Sequence, residues 1–183
     1  HVVDPTNASN MVLMSTKTSG GQPWAGTTLS IDSTGLATAI PFSAGNTQIS
    51  VAIWSPDANI PVRLKAEDKT DNTKSVETEA MTMVAGAWDT LVFDFANQAA
   101  GTAAINFTYT YDKLSIFYDF LTAPATPAKS YYCDDVFFGS GTPPTGLAQI
   151  DLPITWDDTA NVDYTVTDFE GNSSMHVVDP TNT

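Results

Sequence analysis

Short segments in which apolar and polar residues alternate recur along most of the chain, and turn-forming residues separate them about every 8–12 residues. Such alternation gives an extended strand one face to bury and one face for solvent. No helical period is present, and no apolar run reaches the roughly 18 residues of a membrane-spanning helix. The sequence therefore predicts an all-β sandwich of antiparallel strands, with no membrane insertion. We expect strands near residues 11–16, 26–31, 35–41, 47–54, 60–67, 75–83, 88–95, 104–109, 113–120, 130–138, 151–156 and 162–169.

The clearest predicted unit is a β-hairpin that begins with residues 60–67, where apolar and charged side chains alternate. Folding the chain at the turn that follows sets Lys65 opposite Glu77 and Arg63 opposite Glu79. Cross-strand ion pairs of this kind contribute about 0.2–1 kcal/mol each and fix the register. The hairpin is thus expected to have one apolar face and one charged face.

The two ends of the chain repeat each other. The heptad His-Val-Val-Asp-Pro-Thr-Asn at 1–7 recurs unchanged at 176–182, 175 positions further on. A period that long is a whole domain, so the sequence predicts one module of a tandem array. We expect 1–138 to form the main part of one module and the Gly/Pro/Thr-rich stretch 139–150 to be a linker. Residues 151–183 are then the first strands of a module, and they either fold back as a circular permutant or complete the neighbouring repeat.

The charge balance limits the partners. Seven basic against 21 acidic residues give a net charge of −14, which repels phosphate backbones and anionic lipid, so neither nucleic acid nor a membrane is an expected partner. Such acidity suits either bound Ca²⁺ or solubility in salty extracellular water. We expect a secreted, extracellular or cell-surface protein. The lone Cys133 cannot form an internal disulfide, and its apolar surroundings predict a buried structural thiol.

Alternation also predicts a polar outer face that carries aromatic and charged side chains. An aromatic ring there can stack on the C–H face of a sugar while charged groups bind its hydroxyls. A solvated, salt-bridged sheet face is the alternative interpretation. In the loop 20–26, Trp24 either stacks on a ligand or folds under its own loop. The candidate carbohydrate-binding residues are Trp54, Arg63, Lys65, Glu77, Glu79, Asp119 and Trp24.

Seven strand-like segments share one further pattern: 49–54, 62–68, 88–95, 116–120, 131–138, 152–158 and 168–172. Together they resemble jelly-roll carbohydrate-binding modules, closest to repeats in large secreted proteins of marine and aquatic bacteria. The resemblance implies a jelly-roll sandwich, polysaccharide binding and a structural Ca²⁺ between the first and last strands. The Ca²⁺ ligands that it implies are Asp135, Asp157 and Asp158, with Asp134 next; solvated turn acids are the alternative.

Catalysis is not expected. Glu77 and Glu79 loosely meet the spacing of glycosidase carboxyl groups, but both have predicted cationic partners. The two histidines lie in the duplicated heptads, and no catalytic triad, nucleotide loop or zinc spacing is present. The sequence predicts a non-catalytic carbohydrate-binding repeat of a secreted multi-repeat protein, whose partners are a polysaccharide or neighbouring copies. The alternative is a structural repeat of an extracellular adhesin or filament, linked by strand exchange between successive modules.

Overall fold

The computed structural model describes residues 2–29, 35–123 and 127–140, together with the backbone of residues 163–169 and 172–178. None of these residues lies in a helix, so the described part contains no helix that could cross a membrane. All pairings between the described strands are antiparallel. The strands are β1 (Val2–Val3), β2 (Met11–Lys17), β3 (Thr27–Thr28), β4 (Gln48–Ser55), β5 (Pro61–Asp68), β6 (Asp71–Met81), β7 (Ala87–Asp94), β8 (Lys113–Tyr118), β9 (Lys129–Phe138), β10 (Asp163–Phe169) and β11 (Asn172–Val178).

The described strands form two larger sheets and one hairpin. The first sheet has the order β1-β2-β9-β4-β7, and the second has the order β3-β8-β5-β6. The prediction of an all-β antiparallel sandwich is therefore confirmed. Strands β10 and β11 pair with each other, from Asp163 opposite Val178 to Phe169 opposite Asn172.

The core lies between the two sheets and is built by alternation along the strands. In β4 and β5 every second side chain is buried in the core, and most side chains between them are partly exposed, apart from the buried Ser50 and Glu67. Burial of each large aliphatic or aromatic side chain contributes about 1.5–3 kcal/mol, which makes this face the main source of stability. The core side chains of the central strands are Ile49, Val51, Ile53, Val62, Leu64, Ala66, Leu114, Ile116, Tyr131 and Cys133.

The predicted hairpin register is confirmed. Strand β6 places Glu79 opposite Arg63 and Glu77 opposite Lys65. The turn is tighter than expected, because β6 already begins at Asp71, and the register shifts between Glu67 and Asp68. The hairpin therefore presents its charged side chains in the predicted order on one face.

Two predicted strands are wrong, because their apolar residues fill the core from loops. Leu36 and Ile40 are buried, but their N–H groups donate to the carbonyls of Asp112 and Tyr111 rather than to a strand ladder. The predicted strand at 104–109 is a turn in which the Asn106 side chain accepts the N–H of residue 108. The predicted strand at 151–156 lies outside the described residues, and so does most of the predicted linker. The division into modules stays a prediction.

Candidate functional site

The outer face of the four-stranded sheet carries a row of charged side chains, here called the charged strip: Arg63, Lys65, Glu77 and Glu79. Arg63 binds both glutamates, through Nη1 to Glu77 Oε2 at 2.7 Å and through Nη2 to Glu79 Oε1 at 2.8 Å. The β-ladder itself sets this geometry, since the arginine lies opposite one glutamate and diagonal to the other. These ion pairs therefore fix the positions of Arg63, Glu77 and Glu79 before any ligand binds.

Lys65 does not pair with Glu77, although it lies directly opposite. Its ammonium group binds Glu67 Oε2 at 2.5 Å, and Lys113 binds the other oxygen of the same carboxylate at 2.9 Å. Burial opposes the ionisation of Glu67, but the two ammonium groups outweigh it and lower the pKa of the carboxyl group below its ordinary value. Glu67 thus anchors two lysines of the outer face, a role that the alternation pattern did not reveal.

Next to Arg63, the outer face of the four-stranded sheet also carries aromatic side chains. Phe117 on β8 lies opposite Arg63 in the ladder. The guanidinium carbon of Arg63 lies 3.8 Å from the ring centroid of Phe120, and the rings of Phe117 and Phe120 meet edge to face at 5.7 Å. Cation–π contacts of this kind contribute about 0.5–1 kcal/mol at exposed sites and more when desolvated. They fix the guanidinium plane next to an aromatic surface.

A shallow groove of about 340 Å³ borders this aromatic surface. Trp24 is 57% exposed at its rim, so it does not fold under its own loop. Because Ser115 in the groove lies opposite Lys65, the groove lies beside the charged strip. The groove is called the Trp24 groove below, and its lining residues are Gln22, Trp24, Ala25, Gly26, Thr28, Ser115 and Phe117.

Two contacts hold the loop that carries Trp24. A Cβ atom at Gly26 would lie 2.3 Å from the Phe117 ring, so only glycine permits this approach. The ammonium group of buried Lys17 donates to the Pro23 carbonyl at 3.0 Å and to the Asp119 carbonyl at 2.6 Å. The loop is therefore fastened to the end of β8, and Trp24 is held beside the sheet.

The structure brings five of the seven predicted carbohydrate-binding residues to this face: Trp24, Arg63, Lys65, Glu77 and Glu79. The predicted place of Trp54 on this face is wrong, because β4 belongs to the other sheet, where it pairs with β7 and β9. Alternation assigns a side chain to a face of its own strand, but it does not assign the strand to a sheet.

The prediction that Asp119 belongs to this face is also wrong. The residue follows the last residue of β8 and has a φ of 47°, so the strand geometry does not continue through it. The pKa of Lys129, on the other sheet, is raised mainly by its hydrogen bond to Asp57 and further by the charge of Asp119. Asp119 therefore lies toward the end of the sandwich.

Trp54 belongs to a second feature, an aromatic row across the outer face of the five-stranded sheet. The row consists of Tyr132 on β9, Trp54 on β4 and Trp88 on β7, which lie opposite one another. Met14 on β2 lies opposite Tyr132 at the end of the row. The rings of Trp54 and Tyr132 meet edge to face at 5.2 Å, and Trp54 Nε1 is buried with no hydrogen-bond partner among the described residues. The indole N–H of Trp88 donates to Asp4 Oδ1 at 3.1 Å. The residues after β1 thus cover one end of the row.

The predicted calcium ligands are only partly described. Asp134 and Asp135 lie on β9, whereas Asp157 and Asp158 lie outside the described residues. The Asn10 amide donates to Asp134 Oδ2 at 3.0 Å and to Asp4 Oδ2 at 3.2 Å. Its own Oδ1 is buried and has no hydrogen-bond partner in the part of the chain that the structure describes. These oxygens are of the type that Ca²⁺ prefers. Within the described ranges, however, no three His, Cys, Asp or Glu side chains converge as metal ligands would.

No known protein-family profile matches the sequence, and the curated proteins contain no similar sequence.

Proposed function

We propose that the chain is a non-catalytic carbohydrate-binding repeat of a secreted multi-repeat protein, and that a polysaccharide lies in the Trp24 groove along the charged strip. The observation that carries the proposal is that the indole of Trp24 is exposed at the rim of the groove, while Lys17 holds the loop that carries it. An exposed aromatic side chain at the rim of a groove gains free energy when a ligand covers its apolar face. Its flat apolar face matches the C–H face of a pyranose ring.

The polar groups of the face complement this stacking surface. Thr28 and Ser115 place hydroxyl groups in the groove, with their oxygens 3.3 Å apart. Glu79 binds Arg63 through Oε1, and its side chain remains 35% exposed, so its other oxygen is available to a sugar hydroxyl. Because ion pairs already fix these charged groups, binding does not have to order them.

The proposed ligand is a neutral polysaccharide. The net charge of −14 disfavours uronic acid polymers and sulfated glycans, since the surface would repel them over the Debye length. A shallow open groove favours a chain segment over a single enclosed sugar. Affinity per site is then weak, and repeated copies raise it by avidity.

Binding without catalysis agrees with the arrangement of the two glutamates. Glycoside hydrolases place two carboxyl groups about 5–10 Å apart around the scissile bond. Here Arg63 binds both Glu77 and Glu79, so the arginine occupies the space between the carboxylates. The strip supports ligand positioning rather than bond cleavage.

Affinity electrophoresis in gels that contain laminarin, xylan, xyloglucan or galactomannan tests the proposal. We expect retardation by at least one of these neutral polysaccharides and about a tenfold weaker effect for Trp24→Ala, which corresponds to about 1.4 kcal/mol. Phe107→Ala is the matched control, because Phe107 is also an exposed aromatic residue, outside the groove. Migration unaffected by every polysaccharide would contradict the proposal, as would a loss in Trp54→Ala alone.

We also propose that Asp134 and Asp135, with Asp157 and Asp158, hold a structural Ca²⁺. A ligand at 100 times its dissociation constant adds about 2.7 kcal/mol to the free energy of unfolding. Chelation with EGTA should therefore lower the melting temperature by several degrees, and Asp134→Asn/Asp135→Asn should remove this sensitivity. Identical melting curves in EGTA and in millimolar Ca²⁺ would exclude the bound ion.

A structural repeat of an extracellular adhesin or filament remains the second candidate function, because the duplicated heptad indicates an array of copies.

A further inference from the structure

The outer edge of β2 is mostly open. Along its inner edge β2 pairs with β9 from Leu13 to Lys17. Along its outer edge it pairs with β1 at Met11 and Val12 alone. Among the described residues, positions 13–17 of this edge therefore have no strand partner. An edge of this length is a template for another strand.

The sequence repeat supplies a strand that fits this edge. Val177 and Val178 of β11 repeat Val2 and Val3 of β1, within the duplicated heptad. In β1 these residues lie opposite Val12 and Met11. Strand β11 is seven residues long, as β2 is. If the β1 register is carried over, β11 covers β2 from end to end, with Asn172 opposite Lys17.

The four residues that follow the two valines are also the same in both copies of the heptad. After β1, Asp4 Oδ1 accepts the N–H of Thr6 at 2.6 Å and the indole N–H of Trp88 at 3.1 Å, which directs the chain over the aromatic row and back into β2. The same Asp-Pro-Thr-Asn sequence follows β11 at 179–182. In an array, the next β2 along the chain after β11 is therefore that of the following copy. The β2 of its own copy comes before β11 in the chain.

We propose that in an array β11 is the extended form of the following copy's β1 and pairs antiparallel with that copy's β2 along its whole length, with β10 as the new edge strand. Between separate molecules, β11 of one molecule displaces the two-residue β1 of the other. Seven residue pairs replace two, and the five-stranded sheet gains a full-length neighbour. A two-stranded hairpin is marginally stable alone, so β10 and β11 also gain from this docking. For separate molecules of this chain the following copy is a second molecule. This interface is independent of the proposed carbohydrate binding.

Disulfide trapping in the full chain tests the register. The carried-over register places Ser173 opposite Thr16, which is exposed. Two single-cysteine variants, Thr16→Cys and Ser173→Cys, are made with Cys133→Ser, refolded together and oxidised. We expect a disulfide-linked heterodimer at a yield at least ten times that of the control pair Met14→Cys and Ser173→Cys, which is two residues out of register.

Two further variants separate the alternatives. The double variant Thr16→Cys/Ser173→Cys, oxidised at high dilution, reports folding back within one molecule. The pairing between copies would be overturned if the double variant gave a cross-linked monomer and the mixture of the two single-cysteine variants gave no heterodimer. Ser174→Pro removes a backbone donor from β11 and should abolish the heterodimer while the melting temperature of the sandwich stays unchanged. Equal heterodimer yields with and without this proline, or no heterodimer from the in-register pair, would likewise overturn it.

Discussion

Single buried polar residues position the groove, and Lys17 is the clearest case. Its ammonium group donates to the carbonyls of Pro23, Tyr118 and Asp119, so one side chain connects β2, the Trp24 loop and the end of β8. Burial lowers the pKa of this lysine, and the charge of Asp119 partly opposes that effect. A charged group inside the sandwich is tolerated because carbonyl oxygens replace its water.

We predict that Lys17→Met lowers both stability and polysaccharide affinity. Methionine keeps most of the aliphatic volume but leaves three carbonyls without their donor, which costs about 1–3 kcal/mol of unfolding free energy. The loop loosens, so retardation in affinity gels weakens although every groove side chain is retained. Lys74→Met, at an exposed lysine, is the control. Wild-type affinity in Lys17→Met would show that the loop needs no such fastening.

The thiol of Cys133 should be inert in the folded protein. The residue is fully buried, and burial raises its pKa to about 12; the hydrogen bond to Tyr118 opposes this effect, and the charge of Asp134 adds to it. Because the thiolate is the reactive form, Ellman's reagent at pH 8 should label Cys133 only after denaturation in guanidinium chloride. Stoichiometric labelling of the native chain within seconds would contradict the packed core at this position.

At the scale of strands, the hairpin β5–β6 shows how far pattern analysis reaches. Its buried face and register followed from alternation and from the opposite charges of Arg63 and Glu79, whereas the early start of β6 at Asp71 did not. The partner of Lys65 did not follow, because the choice between Glu77 and Glu67 depends on side-chain reach and on Lys113 from the neighbouring β8. Strand adjacency across the sheet is a long-range property that no local pattern contains.

The same limit explains Trp54. Strands β4 and β5 are neighbours in sequence, but the chain passes from one sheet to the other between Ser55 and Pro61. Such crossings separate residues that alternation alone would place together. The loop sequence makes Trp24 a candidate but leaves its exposure open, whereas the role of Phe117 depends on the pairing of β3 with β8.

We predict that Glu67 makes stability depend on pH in the acid range. Its folded pKa is lowered, so its contribution is fully present above the unfolded value of about 4.3 and is lost as pH falls through the folded value. Glu67→Gln leaves two lysines without their carboxylate and should lower the free energy of unfolding at pH 7 by about 1–3 kcal/mol. In urea unfolding the difference should shrink toward zero near pH 2. A difference that is equal at both pH values would refute the ion-pair role.

At the scale of the whole molecule, the two sheets have different surfaces. The four-stranded sheet presents the Trp24 groove and the charged strip, and the five-stranded sheet presents the aromatic row and the open edge of β2. In the arrangement that we propose, one surface binds a polysaccharide while the opposite sheet joins the next copy. Assembly therefore does not have to block binding, and an array of copies would multiply weak sites along one polysaccharide chain.

The most direct test of carbohydrate binding at the Trp24 groove is an NMR titration of the indole N–H signals. The chain has four tryptophans, and single Trp→Phe substitutions assign their signals. On addition of the neutral polysaccharide that retards the protein most in affinity gels, the Trp24 signal should shift or broaden while the Trp54 and Trp88 signals stay in place. Shifts confined to Trp54 or Trp88, or no shift at saturating polysaccharide, would contradict the account.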